Sequence, residues 1–198
     1  MTLSEQVSAR TQRECGDRVL RTERLLLRAL QPSDARAIAR LAGDLRVSQN
    51  TGAIPHPYRS ADAKQFLDRL NNCDGEATFA VTRDDVLIGI CSVNFRKDGP
   101  ELGYWLGVPY WGKGYGTEAA RAVVDKAFTE LGHSTLYSGA RISNPASRRV
   151  LEKCGFQWTG VRLLRIPAIN SSAPSDRFRL DRKLWESLRS WGQVRLVP

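Results

Sequence analysis

Residues Glu101 to Leu131 constrain this chain more than any other stretch: ELGYWLGVPYWGKGYGTEAARAVVDKAFTEL passes from an apolar run through a glycine-rich turn into a helix. Glu101 to Leu106 is short, aromatic and apolar, which suits a buried strand. From Thr117 onward, Ala120, Val123, Val124, Ala127, Phe128 and Leu131 recur at helical spacings of three and four. Between them Gly112, Gly114 and Gly116 alternate with Lys113 and Tyr115, so backbone N–H groups can meet a ligand with no Cβ in the way. The free amides at a helix start point outward, and the helix dipole adds about half a positive charge there. A pyrophosphate fits such a place. A flexible turn is the alternative reading of the glycines alone.

Two familiar nucleotide motifs do not fit the loop. A P-loop requires Gly-Lys-Ser/Thr, and Lys113 is followed by Gly114; a dinucleotide fingerprint requires Gly-x-Gly-x-x-Gly, and Gly112, Gly114 and Gly116 miss its last interval. What remains, x-x-x-Gly-x-Gly counted from Trp111, resembles the acetyl-coenzyme A loop of the GNAT N-acetyltransferases. The segment NPASRRVLEKCGF, Asn144 to Phe156, resembles the next motif of that superfamily, in the expected order and separation. With RTERLLLRAL near the start, IPHPY in the middle and a late DRFRLDRKLW, the resemblance covers roughly Thr22 to Trp185. It is closest to the branch of ribosomal-protein N-terminal alanine/serine acetyltransferases. The fold implied is α/β (α+β): a twisted, mixed but mostly antiparallel sheet of about six to seven strands, flanked by about four helices and splayed at the central strand.

Length and composition agree with one such domain. At 198 residues the chain can bury roughly 70% of its unfolded surface, and no linker divides it. We expect an N-terminal arm over 1–20, a single domain over 21–191 and a short tail over 192–198. No run approaches the ~18 apolar residues of a membrane span, and the first residues are polar, unlike a signal peptide; a cytoplasmic location without membrane contact follows. Cys15, Cys73, Cys91 and Cys154 are scattered, with only His56 and His133 as imidazoles, so neither a metal site nor disulfides are expected. The net charge of +9 is spread in ones and twos, which suits a polyanionic cosubstrate better than nucleic acid.

Along the chain, Arg24 to Leu30 reads as a strand, and Ser33 as the cap of a helix. Residues 47–57 read as a loop, and Ser60 as the cap of a second helix. Three consecutive antiparallel strands follow, over Thr78 to Thr82, Val86 to Phe95 and Glu101 to Leu106. After the long helix come a strand over Thr135 to Ile142 and a short helix opened by Asn144 and Pro145 and closed by Gly155. Strands over Phe156 to Leu164 and Asp176 to Leu184 are joined by a polar loop, 167–175, and a terminal helix over Lys183 to Trp191 closes the chain.

The resemblance implies a role for each part of the site. Amides from Gly112, Lys113, Gly114, Tyr115, Gly116 and Thr117 would hold the pyrophosphate of acetyl-CoA. Leu106, Gly107 and Val108 would splay to admit the pantetheine arm, with a backbone amide of Leu106 or a neighbour on the thioester carbonyl. Asn144 and Ser147 would bind the arm. Glu101 is the candidate base, with a carbonyl–water relay as the alternative. Many relatives carry a tyrosine where this chain has Leu151, and Ser147 is the substitute donor of a proton to the leaving thiolate. His56, Tyr58 and Tyr104 are acceptor-side candidates. The acceptor implied is a protein N-terminus, of ribosomal-protein type, and the branch allows a homodimer; a small-molecule amine (antibiotic, polyamine or amino acid) and a non-catalytic acetyl-CoA-binding module are the rival readings. Where the branch commonly has Glu in Gly-Phe-x-x-Glu-Gly, this chain has Thr159, so the acceptor can differ from that of relatives.

Overall fold

The computed structural model of the chain describes residues 19–70 and 77–193; residues 1–18 of the expected arm, residues 194–198 of the tail, Cys15 and Cys73 lie outside them. Eight strands form one sheet. They are β1 (Leu20–Arg21), β2 (Leu26–Arg28), β3 (Ala77–Arg83), β4 (Val86–Arg96), β5 (Gly99–Leu106), β6 (Thr135–Arg141), β7 (Gln157–Ile166) and β8 (Ser171–Asp181), in the order β1-β2-β3-β4-β5-β6-β8-β7. Six α-helices are present among the described residues: α1 (Ala35–Ala42), α2 (Leu45–Ser48), α3 (Ser60–Leu70), α4 (Tyr115–Thr129), α5 (Pro145–Lys153) and α6 (Arg182–Gln193).

Every strand pair is antiparallel except β5–β6, and that pair is the structural event of the molecule. It holds only at Glu101↔Tyr137 and Leu102↔Ser138, whereas β4 pairs with β5 without a break from Gly99 to Leu106. Beyond Leu102 the two parallel strands part, as expected from the resemblance. The sheet is sandwiched between helices. Leu102 and Leu106 face a core built with α4, α5 and α6 through Ala120, Val124, Phe128, Leu151 and Trp185. Ile90 and Trp105 face a smaller cluster with α1 and α3 through Ile38, Leu41, Ala63 and Leu67. Side chains alternate along a strand, so β5 divides its residues between these faces.

Several local expectations are corrected. The strand and helix counts exceed the expected ones because β1 is two residues and α2 a single turn, too short for any periodicity to show. Helix α1 is not capped by Ser33. Instead Asp34 accepts the Gln31 N–H (2.8 Å) and both Arg28 guanidinium nitrogens (2.8 Å each), closing a short 3-10 turn ahead of the helix. Ser60 lies inside the first turn of α3; the Asp62 carboxylate takes the Arg59 N–H at 2.7 Å and sets the boundary one residue earlier. Asn144 does cap α5, accepting from the Ser147 N–H at 3.2 Å. The polar loop expected over 167–175 is shorter, since Pro167–Ile169 and Asn170 make the turn and Ser171 already pairs with Ile166. Cross-strand hydrogen bonds, not its own hydrophobicity, hold that polar segment as a strand.

Candidate active site

The glycine-rich turn ends where α4 begins. Gly112 (φ +74°) and Gly114 (φ +82°) both take left-handed conformations, and Gly114 is the residue that caps the helix. The first helical hydrogen bond runs from the Glu118 N–H to the Gly114 carbonyl (3.1 Å). The amides of Tyr115, Gly116 and Thr117 therefore precede any intrahelical acceptor and point off the helix end. Space above Gly112 is open, with nothing within 4 Å of where a Cβ would stand. Tyr115 contributes only its backbone, because its ring is buried under Arg24 and Arg83. Lys113 folds back to donate to the Pro109 carbonyl (3.0 Å), so its charge is secondary to the amides.

A clamp that the sequence reading did not assign holds this helix end. The Glu118 carboxylate accepts from the Thr22 hydroxyl (2.6 Å), the Arg24 N–H (2.9 Å) and the Arg24 guanidinium (2.6 Å), and Arg24 also donates to the Lys113 carbonyl (3.1 Å). Burial works against the charge of Glu118, but these donors hold its carboxyl below the usual range. The signal was visible in RTER and GTEA, but only the fold brings them together. A groove of about 900 Å³ runs from the loop along the outer side of α4, lined by Arg24, Gly114, Thr117, Arg121 and Lys153.

The splay supplies a free donor. Gly107 spends its N–H on the Ile88 carbonyl of β4 (2.9 Å), so by alternation Leu106 directs its N–H and C=O to the opposite side, into the wedge vacated by β6. The Trp111 indole N–H accordingly reaches the Leu106 carbonyl at 2.7 Å, tying the loop to the strand end. Trp111 is thus a structural tether. The Leu106 amide remains available in the wedge, with Val108 starting the short 3-10 turn after it.

The two faces of β5 carry different chemistry. Tyr104 points to the α5 side, where its hydroxyl lies 2.9 Å from Ser147 Oγ and donates to the Ser147 carbonyl at 3.0 Å. Burial pushes this phenol above its ordinary range, so it is a neutral donor. Leu151 of the same helix is fully buried in the core. Glu101 points to the α1/α3 side, at the apex of the wedge, with its carboxylate 2.9 Å from Arg177 and 3.7 Å from Arg162. Both arginines also contact Asp98, at 3.6 and 3.0 Å.

The structure thus gathers the loop, Leu106, Asn144, Ser147 and Tyr104 around the wedge, with Glu101 across the strand. It does not bring His56 or Tyr58 among them: His56 is exposed on the loop, and Tyr58 packs against the α1/α3 cluster, where burial raises its phenol. Cys91 and Cys154 are buried free thiols, and burial pushes Cys154 up to about 12. Among the described residues no helix is long and apolar enough to cross a membrane.

Comparison with known proteins agrees with this geometry. Residues 24–157 match the family model described as an acetyltransferase (GNAT) domain. The p20 protein of Bacillus licheniformis, named as an uncharacterized N-acetyltransferase, is 30% identical over 150 residues, spanning 72% of this chain and 84% of that one. YdaF of Bacillus subtilis (strain 168), which carries a provisional ribosomal N-acetyltransferase name, is 30% identical over 151 residues, 68% of this chain and 78% of its own. Among solved structures, the spermidine N-acetyltransferase of Vibrio cholerae, in complex with CoA and spermine, superposes with a TM-score of 0.71 at 21% identity, covering 83% of this chain and 99% of that one. A phosphate-type loop, a splayed parallel pair and a matching domain model lead to one assignment: the chain belongs to the GNAT N-acetyltransferase family.

Proposed function

We propose that the protein transfers the acetyl group of acetyl-CoA to a primary amine by direct attack in a ternary complex, and that the amine is a protein N-terminus of ribosomal-protein type. The observation that carries the acetyl-CoA part is the Leu106 amide left unpaired in the wedge, one short turn before the free amides of Tyr115, Gly116 and Thr117. A pyrophosphate on those amides sets an extended arm running back along β5 toward the Glu101 apex. Arg121 and Lys153 in the adjoining groove suit the phosphorylated nucleotide end.

Bound acetyl-CoA supplies the activated thioester; the chain supplies position and proton handling. The Leu106 N–H stabilises negative charge as it grows on the carbonyl oxygen. Glu101 takes a proton from the incoming amine, directly or through water, on the α1/α3 face. On the other face Ser147 Oγ gives a proton to the departing sulfur and is resupplied by Tyr104, whose hydroxyl touches it and which regains its own proton from solvent once CoA has left. This contact gives Tyr104 a place behind Ser147 instead of on the acceptor. His56 would serve the acceptor only as part of the loop wall.

The N-terminal acceptor is supported by the branch resemblance and by YdaF; the fold neighbour named for spermidine supports the small-amine alternative. Calorimetric titration of acetyl-CoA into the wild type and Gly114→Trp, followed by a panel of N-terminal peptides and small amines, tests the proposal. Stoichiometric binding lost in the variant, with transfer to peptides, supports it. Absence of wild-type binding overturns it, and transfer only to small amines overturns the acceptor.

A further inference from the structure

We infer that the acceptor is a peptide with an acidic side chain a few residues from its amine, received by Arg141 on the α1/α3 face of the sheet; this rests on the acetyl-transfer reading above. The strand registers place Glu101, Tyr137, Gly139 and Arg141 on one face with Ser175 and Arg177 of β8 and Arg162 of β7. The loop after α2 covers this surface, since Gly52 lies against Leu164, with its added Cβ 3.1 Å from a methyl of that leucine. The sheet face and that loop thus bound the surroundings of Arg141, which donates to the Gln49 carbonyl of the loop.

Its charges do not balance. Asp98 and Glu101 are shared between Arg162 and Arg177, at 3.0 and 3.7 Å for the first arginine and 3.6 and 2.9 Å for the second. Arg179, on the same face, is answered by Asp181 at 2.8 Å. Arg141 has one hydrogen bond, to the Gln49 carbonyl at 2.6 Å, and its Nε is buried with no partner. No carboxylate is paired with it among the described residues. A buried guanidinium N–H without an acceptor is costly, and the Nη2 group, which has no partner among the described residues and is not buried with Nε, suits a carboxylate or phosphate oxygen. The remaining positive charge meets an anion favourably and a polyamine unfavourably.

Position ties this site to the reaction. Arg141 lies four residues beyond Tyr137, the strand partner of Glu101, or roughly 13 Å along β6. That is the length of about four extended residues. An acidic side chain near the fourth residue of a peptide presents the required pair of groups, whereas a single amino acid is too short to do so.

Initial rates of acetyl transfer test this. The probes are the C-terminally amidated peptides Ser-Asp-Ile-Asp and Ser-Asn-Ile-Asn, β-alanine against β-alaninamide as a pair too short to reach, and spermidine. We expect the acidic peptide to have kcat/KM roughly tenfold to a hundredfold above its neutral match, with no such ratio for the short pair. In Arg141→Gln, which removes the positive charge, that ratio falls to near one. A merely structural role for Arg141 would scale both members and leave the ratio intact. Equal rates for the two peptides, a preference shown by the short pair alone, an unchanged ratio in the variant, or spermidine as the best acceptor overturns the inference. Turnover without charge preference leaves acetyl transfer standing, whereas no turnover with no acetyl-CoA binding removes both.

Discussion

Replacing Tyr104 with Phe removes one oxygen and tests the proton path. Among the described residues its hydroxyl hydrogen-bonds to Ser147, at 2.9 Å to Oγ and 3.0 Å to the carbonyl. Both oxygens lie within reach of the phenol proton; donated to Oγ, it leaves the Ser147 hydroxyl proton free to face the sulfur. When that proton passes to sulfur, the phenol is the group in place to replace it. Loss of one neutral hydrogen bond costs about 1 kcal/mol of stability, which the fold should bear. A positioned acid contributes roughly 10²- to 10⁴-fold to rate. Losing the second of two donors in series should therefore lower kcat by about tenfold to a hundredfold, or about 1.4–2.8 kcal/mol. Because Tyr104 touches no expected phosphate or acyl contact, KM for acetyl-CoA should change by less than about twofold. The assay is steady-state release of CoA thiol by wild type, Tyr104→Phe, Ser147→Ala and the double variant, with thermal melts alongside. The double variant should be no slower than the slower single one, since both act in one relay. Wild-type kcat in Tyr104→Phe with chemistry rate-limiting, or strictly additive losses, would refute the relay.

Asp34 is buried and accepts from Arg28 and Gln31, so Asp34→Asn should cost about 3 kcal/mol in urea melts at neutral pH. Burial opposes its charge, but those hydrogen bonds hold its carboxyl below the usual range. Its contribution is thus complete above the unfolded value near 4 and lost as pH falls through the lower folded value; the melts of the variant should flatten there. Tyr104 has the opposite sign: its raised phenol stabilises fully below about pH 10 and less as pH climbs through the folded value, a slope that Tyr104→Phe should reduce. Trp111→Phe removes the 2.7 Å bond to the Leu106 carbonyl; acetyl-CoA affinity by calorimetry should fall several-fold, with about 1 kcal/mol lost in stability. Gly114→Ala forces φ +82° on an L-residue and should cost about 1–2 kcal/mol. Gly116→Ala meets Val150 at an ordinary 3.6 Å and should gain up to about 1 kcal/mol of helix propensity, both read by thermal melts.

Much of the site was legible in the chain because it is built from contiguous residues. Gly112 to Thr117 declare a helix start, Asn144 and Pro145 declare another, and both motifs carry their backbone chemistry wherever they are placed. The central strand was legible as a short apolar run, since both of its faces are packed, and the long helix by the period that burial on one side imposes. Boundaries set by side chains were not. Ser33 and Ser60 look like caps, but Asp34 holds one helix start by accepting from both Arg28 and Gln31, and Asp62 the other by reaching back to the Arg59 N–H.

The sequence by itself determined the family, the phosphate-type turn and the residue types available for acyl transfer, because those depend on local spacing and backbone freedom. Only the tertiary structure decided which groups meet. Register puts Tyr104 on Ser147 and Glu101 on Arg177, across opposite faces of one strand. It gathers Thr22 and Arg24 onto Glu118 from the far end of the chain, and leaves Arg141 without a carboxylate among the described residues. Pairing between strands distant in sequence fixes each of these contacts, and no local pattern records it.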